Sequence, residues 1–243
     1  MRYISKDIEN PIVLDTIKRL VSSRTYNEDF AVYKNLRKIY GECCAYCESK
    51  IGIENYPQLD HFYPKKKSGQ YAEYNKDIHN LHYSCQRCNL LKGAQVKEIF
   101  SPNWYLDNKR VWTLTNPDKI ETELYYVGHL LYSRNIVKGS EDRGYNTIKF
   151  FNLNNNRGSI RGHRAYLVEN RLRTLYAAYC YIKTLTALLE NYSETMNSII
   201  ELQLKQLVEM THVNSAYSTM VLHNYGDLII KLLKIYSEKK KTQ

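Results

Sequence analysis

The chain has 243 residues, a formal net charge of +10 and a pI near 9.1. Its 43% hydrophobic and 25% charged residues match an ordinary globule. No apolar run approaches the ~18 residues of a membrane span, so no spanning helix and no membrane partner are expected. The basic balance favours a polyanionic partner, which counterion release would bind.

The opening Met1-Arg2-Tyr3-Ile4-Ser5-Lys6-Asp7 lacks the apolar core of a secretion signal, which predicts a cytoplasmic location. Residues 1–10 read as an extended lead-in arm. After Pro11, the spacing of Ile12, Val13, Ile17, Leu20 and Val21 predicts a helix, broken by Ser22, Ser23 and Asn27. Phe30, Val32, Tyr33, Leu36 and Ile39 predict a second, with Gly41 as its stop. Residues 1–40 are thus expected to be helical support.

Residues 41–100 carry the chemistry. Cys44-Ala45-Tyr46-Cys47 and Cys85-Gln86-Arg87-Cys88 are two Cys-x-x-Cys pairs. In a reducing compartment such pairs are metal ligands rather than disulfides, and two of them complete a tetrahedral Zn²⁺ cage. Cys43 offers an alternative chelate with Cys47; the two-residue spacing shared with Cys85 and Cys88 favours Cys44. Between the pairs, Leu59-Asp60-His61-Phe62-Tyr63 predicts a short strand ended by Pro64 and the Lys65-Lys66-Lys67-Ser68-Gly69 turn. Neighbouring strand side chains point to opposite faces, so Asp60 and His61 serve one site only at a strand end or bend. Asn89 follows the last cysteine, and Leu90, Leu91 and Lys92 suggest a helix beginning there. Lys65, Lys66, Lys67, Arg87 and Lys92 are the candidate phosphate contacts.

Residues 101–145 contain two short expected strands, Val111–Leu114 and Leu124–Val127. They read as a hairpin with a long loop through the Asn116-Pro117-Asp118 turn. His129, at the end of the second, reads as structural. From 146 to 243 helices dominate. One carries Val168, Leu172, Leu175, Tyr179, Ile182 and Leu189. The next opens near Ser193, and the last opens at Ser218 with a frayed Lys239-Lys240-Lys241 tail. Cys180 is expected in the core. Arg157, Arg161, Arg164, Arg171, Arg173 and Lys183 read as a solvated helix face or a nucleic-acid clamp. Their apolar faces are expected to pack on each other, with part left as a docking surface.

Three stretches carry a family resemblance: Tyr46-Cys47-Glu48, the Asp60–Lys65 run, and Ser84-Cys85-x-x-Cys88-Asn89-x-x-Lys92. Together they resemble the HNH (ββα-metal) endonuclease family, and within it the PtuB-type nuclease subunits of Septu anti-phage systems, which also occur beside some retrons. Asn146-Thr147-Ile148, Leu153-Asn154, Arg161 and Arg164 resemble the segment that follows the nuclease module in those subunits. The resemblance implies an α+β, mainly α-helical chain: a small zinc-stabilised ββα-metal module flanked by helices, with a helical C-terminal region. It implies metal-dependent phosphodiester hydrolysis, with DNA the favoured polymer and RNA the alternative.

The His-Asn-His triad falls on His61, Asn80 and Asn89, with Asn in the last slot. His61 is then the general base, Asn80 orients it, and Asp60 and Asn89 hold one Mg²⁺ or Mn²⁺. Cys44, Cys47, Cys85 and Cys88 hold a structural zinc. His79 and His82 flank Asn80 and are alternatives to it. A PtuA-like ATPase is the implied partner, and a retron reverse transcriptase with its DNA–RNA hybrid is a further one. A zinc-binding adaptor without catalysis is the alternative function; it leaves Asp60 and His61 unexplained.

Overall fold

A computed structural model describes residues 1–22, 30–52, 57–65, 69–94, 99–102, 104–106, 109–114, 123–134, 142–154 and 164–241. The chain divides into two compact units. The first comprises Met1–Tyr125 and Leu131–Asn154, the second Tyr126–Leu130 and Asn155–Gln243.

In the first unit, α1 (Pro11–Ser22) begins with proline at the position where a missing N–H costs nothing. Asn10 accepts the Ile12 N–H at 2.9 Å and so caps it. Val13, Thr16 and Leu20 form its buried stripe. This faces α2 (Phe30–Ile39), whose Val32 and Leu36 are buried. Gly41 ends the turn after α2 with φ of 57°. The chain then enters the segment that positions the site.

That segment is two strands and a helix. β1 (Pro57–His61) pairs antiparallel with β2 (Leu81–Cys85), with Asp60 opposite His82 and His61 opposite Leu81. α3 (Gln86–Lys92) follows β2 directly and packs on both strands. The ββα order implied by the resemblance is present, with four cysteines clustered beside it.

Three local expectations change. The helix begins at Gln86 rather than after Asn89, because the Cys85 thiol caps it by accepting the Cys88 N–H at 3.4 Å. β1 ends at His61, before Phe62 and Tyr63. The expected hairpin between 111 and 127 does not form. β4 (Trp112–Leu114) pairs back with β3 (Trp104–Leu106), and β5 (Leu124–Val127) pairs with β6 (Leu130–Ser133) around Gly128, at φ 57°. The Asn116-Pro117-Asp118 turn lies outside the described residues.

α4 (Arg143–Phe150) is capped by Asp142, whose carboxylate accepts the Tyr145 N–H at 2.9 Å. Asn154 accepts the Leu131 N–H at 3.0 Å and donates to its carbonyl at 2.6 Å, splinting β6. Phe151 stacks on Tyr46 with ring centroids 4.6 Å apart.

The second unit is built on α5 (Ala165–Glu190), which packs against α6 (Asn197–Glu209) and α7 (Ser218–Lys241). Its buried stripe is Leu167, Val168, Arg171, Ala178, Ile182, Leu185 and Leu189. Leu172 and Tyr179, expected inside, face outward, and Cys180, expected in the core, is exposed. Arg171, expected on a solvated face, is fully buried with its guanidinium 5.1 Å from the Tyr126 ring. Arg164 is buried as well, and Arg157 and Arg161 lie outside the described residues. Ser193 precedes a single 3-10 turn at Glu194–Met196, so α6 starts at Asn197. α7 opens at Ser218 as expected and stays helical through Lys241, where Lys240 reaches Glu201 at 2.8 Å. Among the described residues no helix is long and apolar enough to cross a membrane.

Candidate active site and metal centre

The cysteine cluster is assembled from two turns. Cys44–Cys47 curls so that the Glu48 N–H reaches the Cys44 carbonyl at 3.0 Å and the Cys44 N–H reaches the Ser49 carbonyl at 2.9 Å. Glu48 takes a φ of 61° to close it, and its carboxylate pairs with the Met1 amino group at 2.6 Å. The Ala45 N–H bonds the Tyr83 carbonyl at 2.9 Å, which docks this turn on β2. The second turn is the end of β2 and the first turn of α3. The sulfurs of Cys44, Cys47, Cys85 and Cys88 all lie within 4.8 Å of one another, and Cys47 and Cys85 are 4.0 Å apart. A tetrahedral zinc with four thiolates at ~2.3 Å needs sulfurs ~3.8 Å apart. The donor set therefore fits zinc. Backbone N–H groups of Cys85 and Cys88 point at the sulfurs of Cys44 and Cys85, each at 3.4 Å, as they do toward thiolates. Cys43 is separate: its thiol points to the Gly41 carbonyl at 3.4 Å. The choice between Cys43 and Cys44 thus falls on Cys44.

His61 stands at the end of β1, 7% exposed. Its Nε2 lies 2.9 Å from the Asn75 carbonyl oxygen. A carbonyl can only accept, so Nε2 carries the proton and the acceptor lone pair sits on Nδ1. Burial pushes the imidazole from 6.5 down to about 4, and the charges of Lys65 and Lys92 push the same way. His61 is therefore neutral at pH 7.

Asn80 is fully buried at the end of a 3-10 turn, Ile78–Asn80, which Asp77 caps through the His79 N–H. Its side chain accepts the Tyr63 N–H at 2.7 Å and donates to the carbonyls of Tyr63 and Tyr74, each at 3.1 Å. Lys6 clamps the same turn from the lead-in arm, reaching the Ile78 and Leu81 carbonyls at 2.6 Å. Asn80 thus fixes the chain on both sides of the imidazole: Tyr63 two residues beyond it, and Tyr74 next to the Asn75 carbonyl. Replacing Asn80 with Ala removes three hydrogen bonds to the backbone of Tyr63 and Tyr74. A loss of at least about 2 kcal/mol is expected, read as a lower urea midpoint with an unchanged slope.

Asp60 precedes His61 on β1, opposite His82. The Tyr46 hydroxyl donates to its Oδ2, and the Lys92 ammonium lies 3.3 Å from its Oδ1. Burial raises the Asp60 carboxyl above its usual value while Lys92 and Tyr46 pull it back. Burial lowers Lys92, and Asp60 opposes that. Lys92 was expected among the phosphate contacts. It is instead completely buried, also donating to the His61 carbonyl at 2.8 Å. Lys65 is exposed, Arg87 is half-buried, and Lys66 and Lys67 lie outside the described residues. Asn89 is half-buried on α3, one turn before Lys92 and so on the same helix face. Of the two histidines beside Asn80, His79 is half-buried, while His82 is buried with Nδ1 on the Tyr40 hydroxyl.

Residues 44–95 match the family model described as HNH endonuclease. The chain carries an HNH endonuclease domain. Over 92 residues it is 32% identical to Septu protein PtuB of Bacillus mycoides (strain KBAB4), covering 31% of each chain. The match thus spans about a third of that relative's length. No solved structure matches.

Sequence reasoning put His61, Asn80 and the cysteines in one segment; the structure clusters the four cysteines and sets His61 opposite Leu81, the residue after Asn80. It missed Tyr46 and the Asn75 carbonyl. Tyr46 had two signals, its place inside the first Cys-x-x-Cys turn and in the Tyr46-Cys47-Glu48 stretch, but was given no role. A backbone carbonyl leaves no mark in the sequence.

Proposed function

We propose that the chain is a metal-dependent HNH endonuclease that hydrolyses phosphodiester bonds of nucleic acid, DNA before RNA. In this reading it is the effector of an anti-phage complex governed by a PtuA-like ATPase. A retron reverse transcriptase with its DNA–RNA hybrid is the alternative setting. The observation that carries the hydrolase reading is His61. Its ring is buried and neutral, and the Asn75 carbonyl fixes its tautomer. A neutral imidazole with the lone pair on Nδ1 is equipped to take a proton from an attacking water. An approaching phosphodiester anion raises its proton affinity toward the working range. Asn80 holds the frame around the ring and acts by positioning.

Asp60 and Asn89 offer a carboxylate and an amide oxygen, donors of the kind Mg²⁺ or Mn²⁺ takes. Two of the roughly four lone-pair sites of the Asp60 carboxylate are engaged, by Tyr46 and Lys92, so capacity remains. When bound, the cation would neutralise charge growing on the leaving oxygen. Lys65 and Arg87 are the described candidates for contacts to flanking phosphates. The zinc is structural, because four thiolates leave no open position.

The deciding experiment is co-purification with the neighbouring gene product, then cleavage assays of the complex on DNA and RNA with Mg²⁺. Cleavage supports the reading. A stable complex that binds nucleic acid and cuts neither polymer makes the chain an adaptor.

The buried imidazole also sets a pH dependence. His61 falls from 6.5 to about 4 on folding. Between those values the unfolded chain binds more protons, so the stability is complete above about pH 6.5 and is lost as pH falls toward 4. His82 is shifted in the same direction by burial. Urea unfolding should give a lower midpoint at pH 5 than at pH 7, and the difference should shrink in a His61→Ala protein. Equal midpoints in native protein would show that the imidazole is not buried neutral.

A further inference from the structure

Both partners of the Asp60 side chain come from the elements that carry the cysteines. Tyr46 lies between Cys44 and Cys47, and Lys92 lies one helical turn beyond Cys88. Lys92 is held on three oxygens: Asp60 Oδ1 at 3.3 Å, the His61 carbonyl at 2.8 Å and the Gly93 carbonyl at 3.4 Å. The Phe62 ring lies 5.5 Å from its Nζ. The side chains of Lys92 and Asp60 are 0% and 4% exposed. A buried carboxylate facing a buried ammonium is already neutralised. A divalent cation drawn to Asp60 meets that ammonium, and two cations at one carboxylate in a poorly screened interior repel each other strongly.

We infer that Lys92 is an internal counter-ion that competes with the catalytic cation for Asp60. This rests on the reading in which Asp60 helps to hold that cation. The contact Lys92 would give up is the longer one, to Oδ1. The short bond to the His61 carbonyl can persist, so the exchange needs a small displacement rather than exit from the core. The competition lowers cation affinity in the resting protein. A phosphodiester brings negative charge of its own and tips the balance toward the cation. Metal loading is then coupled to substrate arrival.

The test uses full-length, zinc-loaded protein and Mn²⁺ alone, with free Mn²⁺ followed by its paramagnetic resonance signal. Lys92→Met should bind Mn²⁺ at least about tenfold more tightly than native protein, and Asp60→Asn should lose the site. Binding by Lys92→Met where native protein shows none supports the inference equally. Lys92→Met no tighter than native, with Asp60→Asn still losing the site, overturns the competition and leaves the ligand reading standing. Unchanged binding in Asp60→Asn overturns both. If Lys92→Met does not fold, native protein labelled with ¹⁵N-lysine decides. The Lys92 ammonium resonance should move with added Mg²⁺ and saturate with the binding curve. A resonance unmoved at saturating Mg²⁺ overturns the inference.

Discussion

A Cys85→Ser protein is expected to lose its zinc and, with it, the fold of the ββα segment. Cys85 has three roles in the structure. It ends β2, it caps α3 by accepting the Cys88 N–H, and its sulfur sits 4.0 Å from that of Cys47. A structural zinc contributes about 10–16 kcal/mol of apparent binding free energy in small zinc modules. That exceeds the whole stability of many domains of ~5–15 kcal/mol. Burial raises the thiols of Cys44 and Cys88. Without a cation these groups stay protonated, and the two turns lose what joins them. Elemental analysis should give one zinc per native chain and a deficit in the variant, with a much lower thermal midpoint or insolubility. Cys43→Ser is the control: its sulfur points to the Gly41 carbonyl, and zinc content should not change. Full zinc and full stability in Cys85→Ser would remove the cage assigned to these four cysteines.

His61→Ala should leave zinc content, fold and nucleic-acid binding in place and reduce cleavage by at least ~10²-fold, the usual scale for a lost general base. Binding should persist because affinity for nucleic acid comes mainly from basic side chains on phosphates. The imidazole is anchored on the Asn75 carbonyl, and Asn80 and Lys6 hold the surrounding frame through bonds of their own. The assay belongs in the co-purified complex with the proposed ATPase, the state in which the proposed function expects cleavage. Native-level cutting by His61→Ala in that complex would exclude His61 as the base.

The parts of this site that were legible in the sequence are those with fixed spacing. The Cys-x-x-Cys pairs, the adjacent Asp60 and His61, and Asn80 needed only residue type and distance along the chain. β2 was not legible, because a strand covered on both faces carries no alternation. Leu81, His82, Tyr83 and Ser84 are all buried, with the His82 ring near Tyr40 and Tyr46 and the Tyr83 ring near Tyr33 and Tyr40. The start of α3 was hidden because a cysteine thiol does the work of the usual Ser, Thr, Asp or Asn cap. Lys92 misled for a statistical reason: lysine is rarely fully buried unless paired, and its partner, Asp60, lies 32 residues away. Arg171 misled in the same way, since the rings of Tyr126 and Tyr217 that receive it are remote in sequence.

The division of the chain bears on the order in which it is made. It passes from the first unit to the second at residue 126, returns at 131 and leaves again after 154. A ribosome releasing this chain therefore delivers five residues of the second unit before the first is complete. The Tyr126 N–H and the Gly128 backbone are bonded by His223 and Asn224, which emerge 97 and 96 residues later. Synthesis at ~5–20 residues per second makes that a wait of roughly 5–20 seconds. Through that interval residues 44–95, which match the HNH family model, are already synthesised. Once residue 154 is joined the first unit has all its residues while most of the helical unit is still being written, and a chain cut short after 154 would release the first without its companion.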